Sequence, residues 1–236
     1  MDISISIIFP VFNEESRLEK AFSALGYFLN NDTFSNVEII FVDDGSQDKS
    51  AEMINNFSFK YPIRLISYKE NRGKGYAVRR GMLAANNDYC LMLDVDMSTD
   101  FKELEKMIPL IKQGISVIIG TRKVEGATMI RRQPWYRQKL GEGYTFIANI
   151  ITGVWVSDYT CGFKCFSRGA VNKIFPLVVV DRWSYDVEIL FLAKKLGFSI
   201  REVPVSWEND DNSRVRLFRD MFGSFIDLIK IRIKHR

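Results

Sequence analysis

Two carboxylates stand one residue apart where an apolar run ends: Tyr89-Cys90-Leu91-Met92-Leu93 leads into Asp94-Val95-Asp96. An earlier run, Val37-Glu38-Ile39-Ile40-Phe41-Val42, ends the same way, in Asp43-Asp44-Gly45-Ser46. Acidic residues at the carboxyl ends of buried strands point into the crevice where open α/β sheets bind ligands. Strand alternation sets Asp94 and Asp96 on one side and turns Val95 to the other. Two oxygen ligands converging there suit a hard cation, Mg²⁺ or Mn²⁺, of the kind that also holds substrate phosphates. Like charges this close repel unless a cation or basic group intervenes, so the pair is costly as mere surface. This is chemistry for a nucleoside-diphosphate sugar.

Two further turns belong with it. In Pro10-Val11-Phe12-Asn13-Glu14-Glu15, Pro10 ends a strand and Asn13 can cap the helix that follows. Asp43 or Asp44 can accept hydrogen bonds from a base or ribose, as acidic residues at this place do in dinucleotide folds. The segment Asn71-Arg72-Gly73-Lys74-Gly75 precedes a helix pattern. Its glycines allow close backbone approach, and the helix amino terminus attracts phosphate. It is not a Walker loop, which places Gly-Lys-Ser/Thr after a four-residue spacer.

The elements that must position these groups are legible as a rhythm. Strand patterns at 3–9, 37–42, 64–67, 89–93 and 116–119 alternate with helix patterns at 15–29, 48–57, 75–85 and 101–113. That alternation predicts βαβ units and a mostly parallel sheet flanked by helices, an α/β class. After Gly120 the rhythm changes: 131–156 reads as an aromatic-rich helix, 158–166 as a mixed Gly/Cys/aromatic stretch, 184–196 as a helix and 200–207 as a late strand. Without a Ser/Gly-rich linker, 1–213 reads as one domain, with a nucleotide-sugar half (1–120), an acceptor half (121–213) and a helical tail (214–236).

Nearly half the residues are apolar, enough for a real core. The cysteines Cys90, Cys161 and Cys165 lack a paired metal spacing and suit reduced thiols in a cytoplasmic setting. Of the net charge of +4, the segment from Arg214 onward holds seven Lys/Arg and two Asp/Glu, so the body is close to neutral and is not a nucleic-acid surface. No run reaches the roughly 18–20 apolar residues of a membrane span, and the start does not read as a signal peptide. At about 100° per residue, Leu217, Phe218, Met221, Phe222, Phe225, Ile226, Leu228 and Ile229 share one half of a helix. A basic helix with such a face either lies on an anionic membrane surface or packs on protein.

The ordered segments Ile-Phe-Pro-Val-Phe-Asn-Glu-Glu, Val-Asp-Asp-Gly-Ser, Asn-Arg-Gly-Lys-Gly and Asp-Val-Asp together resemble an inverting family 2 glycosyltransferase of GT-A fold, Rossmann-like in its sheet. Gly120-Thr121-Arg122, Asp158-Tyr159-Thr160-Cys161-Gly162-Phe163-Lys164 and Asp181–Glu188 resemble the branch that glycosylates polyprenyl phosphates, and within it the dolichyl-phosphate β-glucosyltransferases. The resemblance implies that Pro10, Phe12, Glu14 and Asp43 line the base pocket with Asp44, Lys74 and Val95 close by. It implies that Asp94 faces ribose or sugar and that Asp96, with Asp94, holds the Mg²⁺ or Mn²⁺ on the diphosphate. Arg122, Arg131 and Arg214 would meet donor or acceptor phosphates, joined on the acceptor side by Asp158, Lys164, Asp186 and Ser213.

Two departures stand out. The family's late metal-ligating histidine has no counterpart, since the one histidine is His235; the metal would lean on Asp96, phosphate oxygens, water and Ser98. An amino-terminal membrane helix, common in that branch, is not seen either. The expected reaction is hexose transfer, from UDP-glucose first and GDP-mannose second, to polyprenyl or dolichyl phosphate at the cytosolic membrane face. A saccharide hydroxyl is the alternative acceptor; it would need a base, for which Asp158 is the candidate. The rivals are a silent sugar-nucleotide-binding module and a phospho-acceptor receiver. A receiver is far shorter and has no use for Asp94 and Asp96.

Overall fold

The computed structural model describes residues 3–28, 34–131, 133–210 and 217–236, with 27–28 and 217–222 described by backbone alone. The five expected strands form as β1 (Ser4–Val11), β2 (Asn36–Asp43), β3 (Ile63–Ser67), β4 (Tyr89–Met92) and β5 (Val117–Thr121). Between them lie α1 (Glu15–Phe28), α2 (Ser50–Asn56) and α3 (Lys74–Ala84). The helix expected over 101–113 is split into a 3₁₀ segment, Phe101–Lys106, and α4, Ile108–Lys112. Pro109 explains the break, because its ring and missing N–H cannot continue a preceding α-helix.

The chain then forms β6 (Thr128–Arg131), α5 (Trp135–Thr152), β7 (Lys164–Ser167), α6 (Arg168–Ile174), α7 (Tyr185–Lys195), β8 (Ile200–Pro204), β9 (Ser206–Glu208) and α8 (Leu217–Lys234). The helix expected over 131–156 is shorter at both ends. It begins after Pro134 and closes on Gly153, whose φ of 69° gives the left-handed cap. Arg131 instead ends β6. The late strand is two strands, because Val205 bonds to Thr121 and the chain then leaves the main sheet to pair with β6.

The main sheet runs β3-β2-β1-β4-β7-β5-β8. Its pairs are parallel except those of β7, which runs against β4 and β5. The order reverses between β1 and β4, and at such a switch point the strand ends open a crevice. Both faces of the sheet are buried. Ile7 and Phe9 pack beneath α1 and the 101–112 helices, whereas Ile8 packs towards α3, α6 and α7. This two-sided burial is why the strands read as continuous apolar runs.

The apolar face of α8 is divided. Phe225, Leu228 and Ile231 turn inward towards α5 and α7, with the Phe225 ring 5.8 Å from that of Tyr144. Ile226, Ile229 and Ile233 stay exposed. Packing on protein therefore accounts for one stripe only. No helix among the described residues is long and apolar enough to cross a membrane.

Candidate active site

The rim is built where β1, β2 and β4 end together. Past β1 the chain turns sharply at Asn13, a left-handed residue with φ of 52°. That turn is braced to the one after β2. Ser46 Oγ accepts from Asn13 N (2.8 Å), Ser50 Oγ from Glu14 N (2.8 Å) and Asn13 Oδ1 from Gln47 N (2.7 Å). Pro10, Phe12 and Glu14 are thus held beside buried Asp43, whose carboxylate accepts from Ser46 N and Ser67 Oγ, both at 2.9 Å.

Asp44 is engaged differently. It accepts from Asn71 Nδ2, Arg72 N and Gly73 N, each at 2.8 Å. Its carboxylate shapes the loop that presents Lys74. Gly73 is needed there twice over: its φ is 109°, and a Cβ would overlap the Asp181 carbonyl. The underlying segment is fixed from below by buried Glu188, which accepts from Val179 N and Val180 N and from His235 Nε2 at 2.7 Å.

The acidic pair lies past the end of β4, in a turn that the Met97 N–H closes on the Asp94 carbonyl at 3.2 Å. Asp94, Asp96 and Ser98 are half-buried, while Val95 and Met97 are buried. Met97, left-handed with φ of 53°, turns the chain so that Ser98 N reaches Asp96 Oδ1 at 2.8 Å. Lys74 Nζ lies 2.6 Å from Asp94 Oδ1. Burial opposes the Lys74 ammonium, but Asp94 and Asp186 outweigh it and raise its pKa. Burial, and then the Asp94 charge, push the Asp96 carboxyl above its ordinary value. Asp96 opens onto a cleft of about 230 Å³ lined by Lys20, Ser98, Arg131, Glu208, Asn209 and Asp210.

On the other flank Arg122 grips Asp158 with two bonds, Nε to Oδ2 at 2.6 Å and Nη2 to Oδ1 at 2.9 Å. Thr160 N and Oγ1 donate to the same carboxylate. Asp158 is wholly buried. Burial opposes its ionisation, but the Arg122 guanidinium overrides this and holds the carboxyl well below the usual carboxylate range. The guanidinium also lies over the Trp207 ring, 5.0 Å from its centroid.

Lys164 and Asp186 form an ion pair of 2.6 Å beneath the rim, with the Lys164 side chain fully buried. Neither is presented as Arg122 and Lys74 are. Burial keeps the Asp186 carboxyl above its ordinary value despite Lys164 and Lys74. Ser213 and Arg214 lie outside the described residues.

Lys20, Arg17 and Asp210 carried no motif, and Gly162, inside one, had no role read from it. Lys20 Nζ bonds the Asp96 carbonyl at 3.2 Å, and Arg17 bridges Glu14 (2.7 Å) and Asp210 (2.8 Å). Gly162 lies so near Asp94 that a Cβ would overlap the carboxylate. Lys20 and Arg17 read as the polar face of α1; only the fold shows Lys20 lining the cleft and Arg17 tied to Asp210 at its edge.

The donor set fits a divalent cation. Asp96 and Ser98 offer hard oxygens, and a strained carboxylate pair has a charge to be neutralised. Among the described residues no group of three His, Cys, Asp or Glu side chains is placed to hold a metal. A cation there would take part of its coordination from Asp96 and Ser98 and would need a diphosphate and water for the rest.

A model of glycosyl transferase family 2 matches residues 6–175. The chain belongs to the family 2 glycosyltransferases. Among relatives of this glycosyltransferase, a dolichyl-phosphate β-glucosyltransferase of Dictyostelium discoideum is 34% identical, over 99% of this chain and 75% of its own. Those of Saccharomyces cerevisiae and Homo sapiens are 33% and 30% identical, each matched over 75% of its length and over 99% and 98% of this chain. The fold is shared with glucosyl-3-phosphoglycerate synthase of Mycobacterium tuberculosis, solved with Mn²⁺, UDP-glucose and phosphoglyceric acid. The TM-score is 0.74 at 18% identity, covering 98% of this chain and 79% of that one. The GT-A arrangement expected from the motifs is the observed fold of this glycosyltransferase.

Proposed function

We propose that this glycosyltransferase moves glucose from UDP-glucose to a polyprenyl phosphate such as dolichyl phosphate, with inversion, at a membrane surface. The names of the relatives support the glucosyl group and the lipid acceptor. The Arg122–Asp158 lock carries the chemistry. A carboxylate whose two oxygens accept from a guanidinium and Thr160, and whose proton affinity is lowered, is a poor base for a sugar hydroxyl. A phosphate acceptor is already anionic and needs none. It needs positioning, which a planar guanidinium provides.

In this reading Pro10, Phe12, Glu14 and Asp43 surround the nucleotide, with Val95 packed behind. Asp44 and Gly73 aim Lys74, and Lys74 orients Asp94 towards the ribose or sugar. Asp96, assisted by Ser98, would hold Mg²⁺ or Mn²⁺. Bound there, the cation would stabilise negative charge on the departing diphosphate. Arg122 and Arg131 position the acceptor phosphate. Lys164 and Asp186 act from below, fixing the charge around Lys74. An acceptor phosphate oxygen forms the bond to the anomeric carbon as the bond to the UDP β-phosphate oxygen breaks; that electron pair leaves with UDP and no proton moves.

The test supplies UDP-glucose or GDP-mannose with a polyprenyl phosphate, its unphosphorylated alcohol or a soluble saccharide. Glucosylated lipid phosphate alone is the expected product; transfer to a hydroxyl overturns the acceptor, and mannosyl transfer overturns the donor. Asp158→Asn is expected to lower kcat/KM for lipid phosphate by about tenfold to a hundredfold, since a charge-assisted bidentate hold on Arg122 is lost. Its pH profile should keep the wild-type shape; loss of the acidic limb would restore Asp158 as the base.

A further inference from the structure

Helix α5 is amphipathic in an unusual sense, because its outward face is as apolar as its inward one. Tyr144, Ala148 and Ile151 turn into the core, while Trp135, Phe146 and Ile150 are each more than half exposed, as is Trp155 just beyond the helix. Ile229 and Ile233 of α8 are more than half exposed as well. Both helices pack on α7 and on each other, so their exposed apolar residues belong to one region of the surface. Single exposed apolar residues need no explanation, but a clustered patch with two tryptophans does.

We propose that this composite face, α5 with Trp155 and the outer stripe of α8, seats the protein on an anionic bilayer surface. The assignment rests on the lipid acceptor proposed above for its purpose, but its physical argument is independent. Lys139, Lys230, Arg232 and Lys234 are exposed on the two helices that carry the apolar residues. Of the acidic members, Glu142 and Asp227 are paired within their own helices to Lys139 (2.9 Å) and Lys230 (3.3 Å), and Asp220 near the start of α8 leaves the basic residues of the two helices in excess. Basic groups beside aromatic and aliphatic side chains suit phosphate headgroups over an acyl boundary. A second copy is the poorer occupant, because a two-fold contact through this face would set its cations against themselves. The face also begins at the reaction cleft: β6 ends in Arg131, which lines the cleft, and α5 starts at Trp135. Seating α5 on lipid therefore brings headgroup phosphate to the Arg131 edge.

The test is co-sedimentation with phosphatidylcholine vesicles, with and without one third phosphatidylserine, for the whole protein, Phe146→Glu/Ile150→Glu and Ile229→Glu/Ile233→Glu. The whole protein should bind the anionic vesicles, more weakly in high salt. Each double variant should lose at least tenfold in partitioning while keeping the wild-type melting temperature and its transfer to a short, water-soluble prenyl phosphate. Unchanged partitioning of the α5 variant overturns the composite face, even if the α8 variant is impaired. A stable dimer that the α5 variant dissociates, with no vesicle binding by the wild type, overturns the bilayer in favour of a second copy. Failure of transfer by the wild type would count against the proposed reaction and leave the vesicle result standing.

Discussion

Asp96→Asn is expected to reduce glucosyl transfer by about a thousandfold and at the same time to raise the melting temperature of the metal-free protein. The first effect follows from losing the charge that would anchor a Lewis acid at the departing diphosphate, worth several kcal/mol of transition-state stabilisation, at about 1.4 kcal/mol per tenfold. The second follows from the raised pKa of Asp96, set by burial and then by Asp94. A carboxyl whose folded pKa lies above its unfolded one binds more protons in the folded state, so stability falls as pH rises through that window. At neutral pH the ionised group therefore burdens the fold, and asparagine removes the burden. In acid, below the ordinary carboxylate range, the difference from wild type should vanish. Thermal melts across pH without divalent cation, beside initial rates with Mn²⁺, read both effects. A drop in melting temperature would mean that the pair is not strained; undiminished transfer would take Asp96 out of the reaction.

Gly162→Ala is expected to cost about a hundredfold in kcat, the scale of a misplacement of about 1 Å in a reacting assembly. The methyl group would overlap the Asp94 carboxylate, which cannot swing away freely because Lys74 holds it at 2.6 Å. The lesion should therefore appear at Asp94 and Lys74 and not as unfolding. Gly169→Ala is the control: nothing lies within 4 Å of a Cβ there, and alanine favours the helix. Comparable activity in the two variants would show that Asp94 tolerates displacement and so does no positioning work.

The first half of the chain was readable in the residues because its acidic residues stand at strand ends. An apolar run followed by polar residues marks where a strand ends, and Asp94 and Asp96 stand in the turn just past β4, whereas Lys74 opens α3 and is brought to Asp94 by the fold. The far half was less readable, for local reasons. Lys164-Cys165-Phe166-Ser167 is too short to show a period and carries a buried lysine, whose partner Asp186 lies 22 residues away. A strand of this kind is defined by its neighbours β4 and β5 and not by its own pattern. Residues 200–207 have one apolar alternation but serve two sheets, because Val205 is taken by Thr121. Asp44, just past β2, accepts from the Arg72 and Gly73 amides, a pairing across 28 and 29 residues that no local pattern signals. Among the tail's apolar residues, nothing in the spacing separates Leu228, which is buried, from Ile229, which is not.

One reversed strand has a bearing on what can vary at the reaction edge. Because β7 runs against its neighbours, the segment reaching the reaction edge beside β5 is one that enters a strand, whereas those from β1, β2 and β4 leave theirs. Asp158 to Gly162 therefore arrive from the α5 side, with no helix start attached to their geometry. Change in that stretch leaves the turns after β1, β2 and β4 alone only where it spares the Gly162–Asp94 contact and the Arg122–Asp158 pair. In such an architecture the incoming segment and the outgoing turns meet at few points on one sheet edge, and those points limit what can vary.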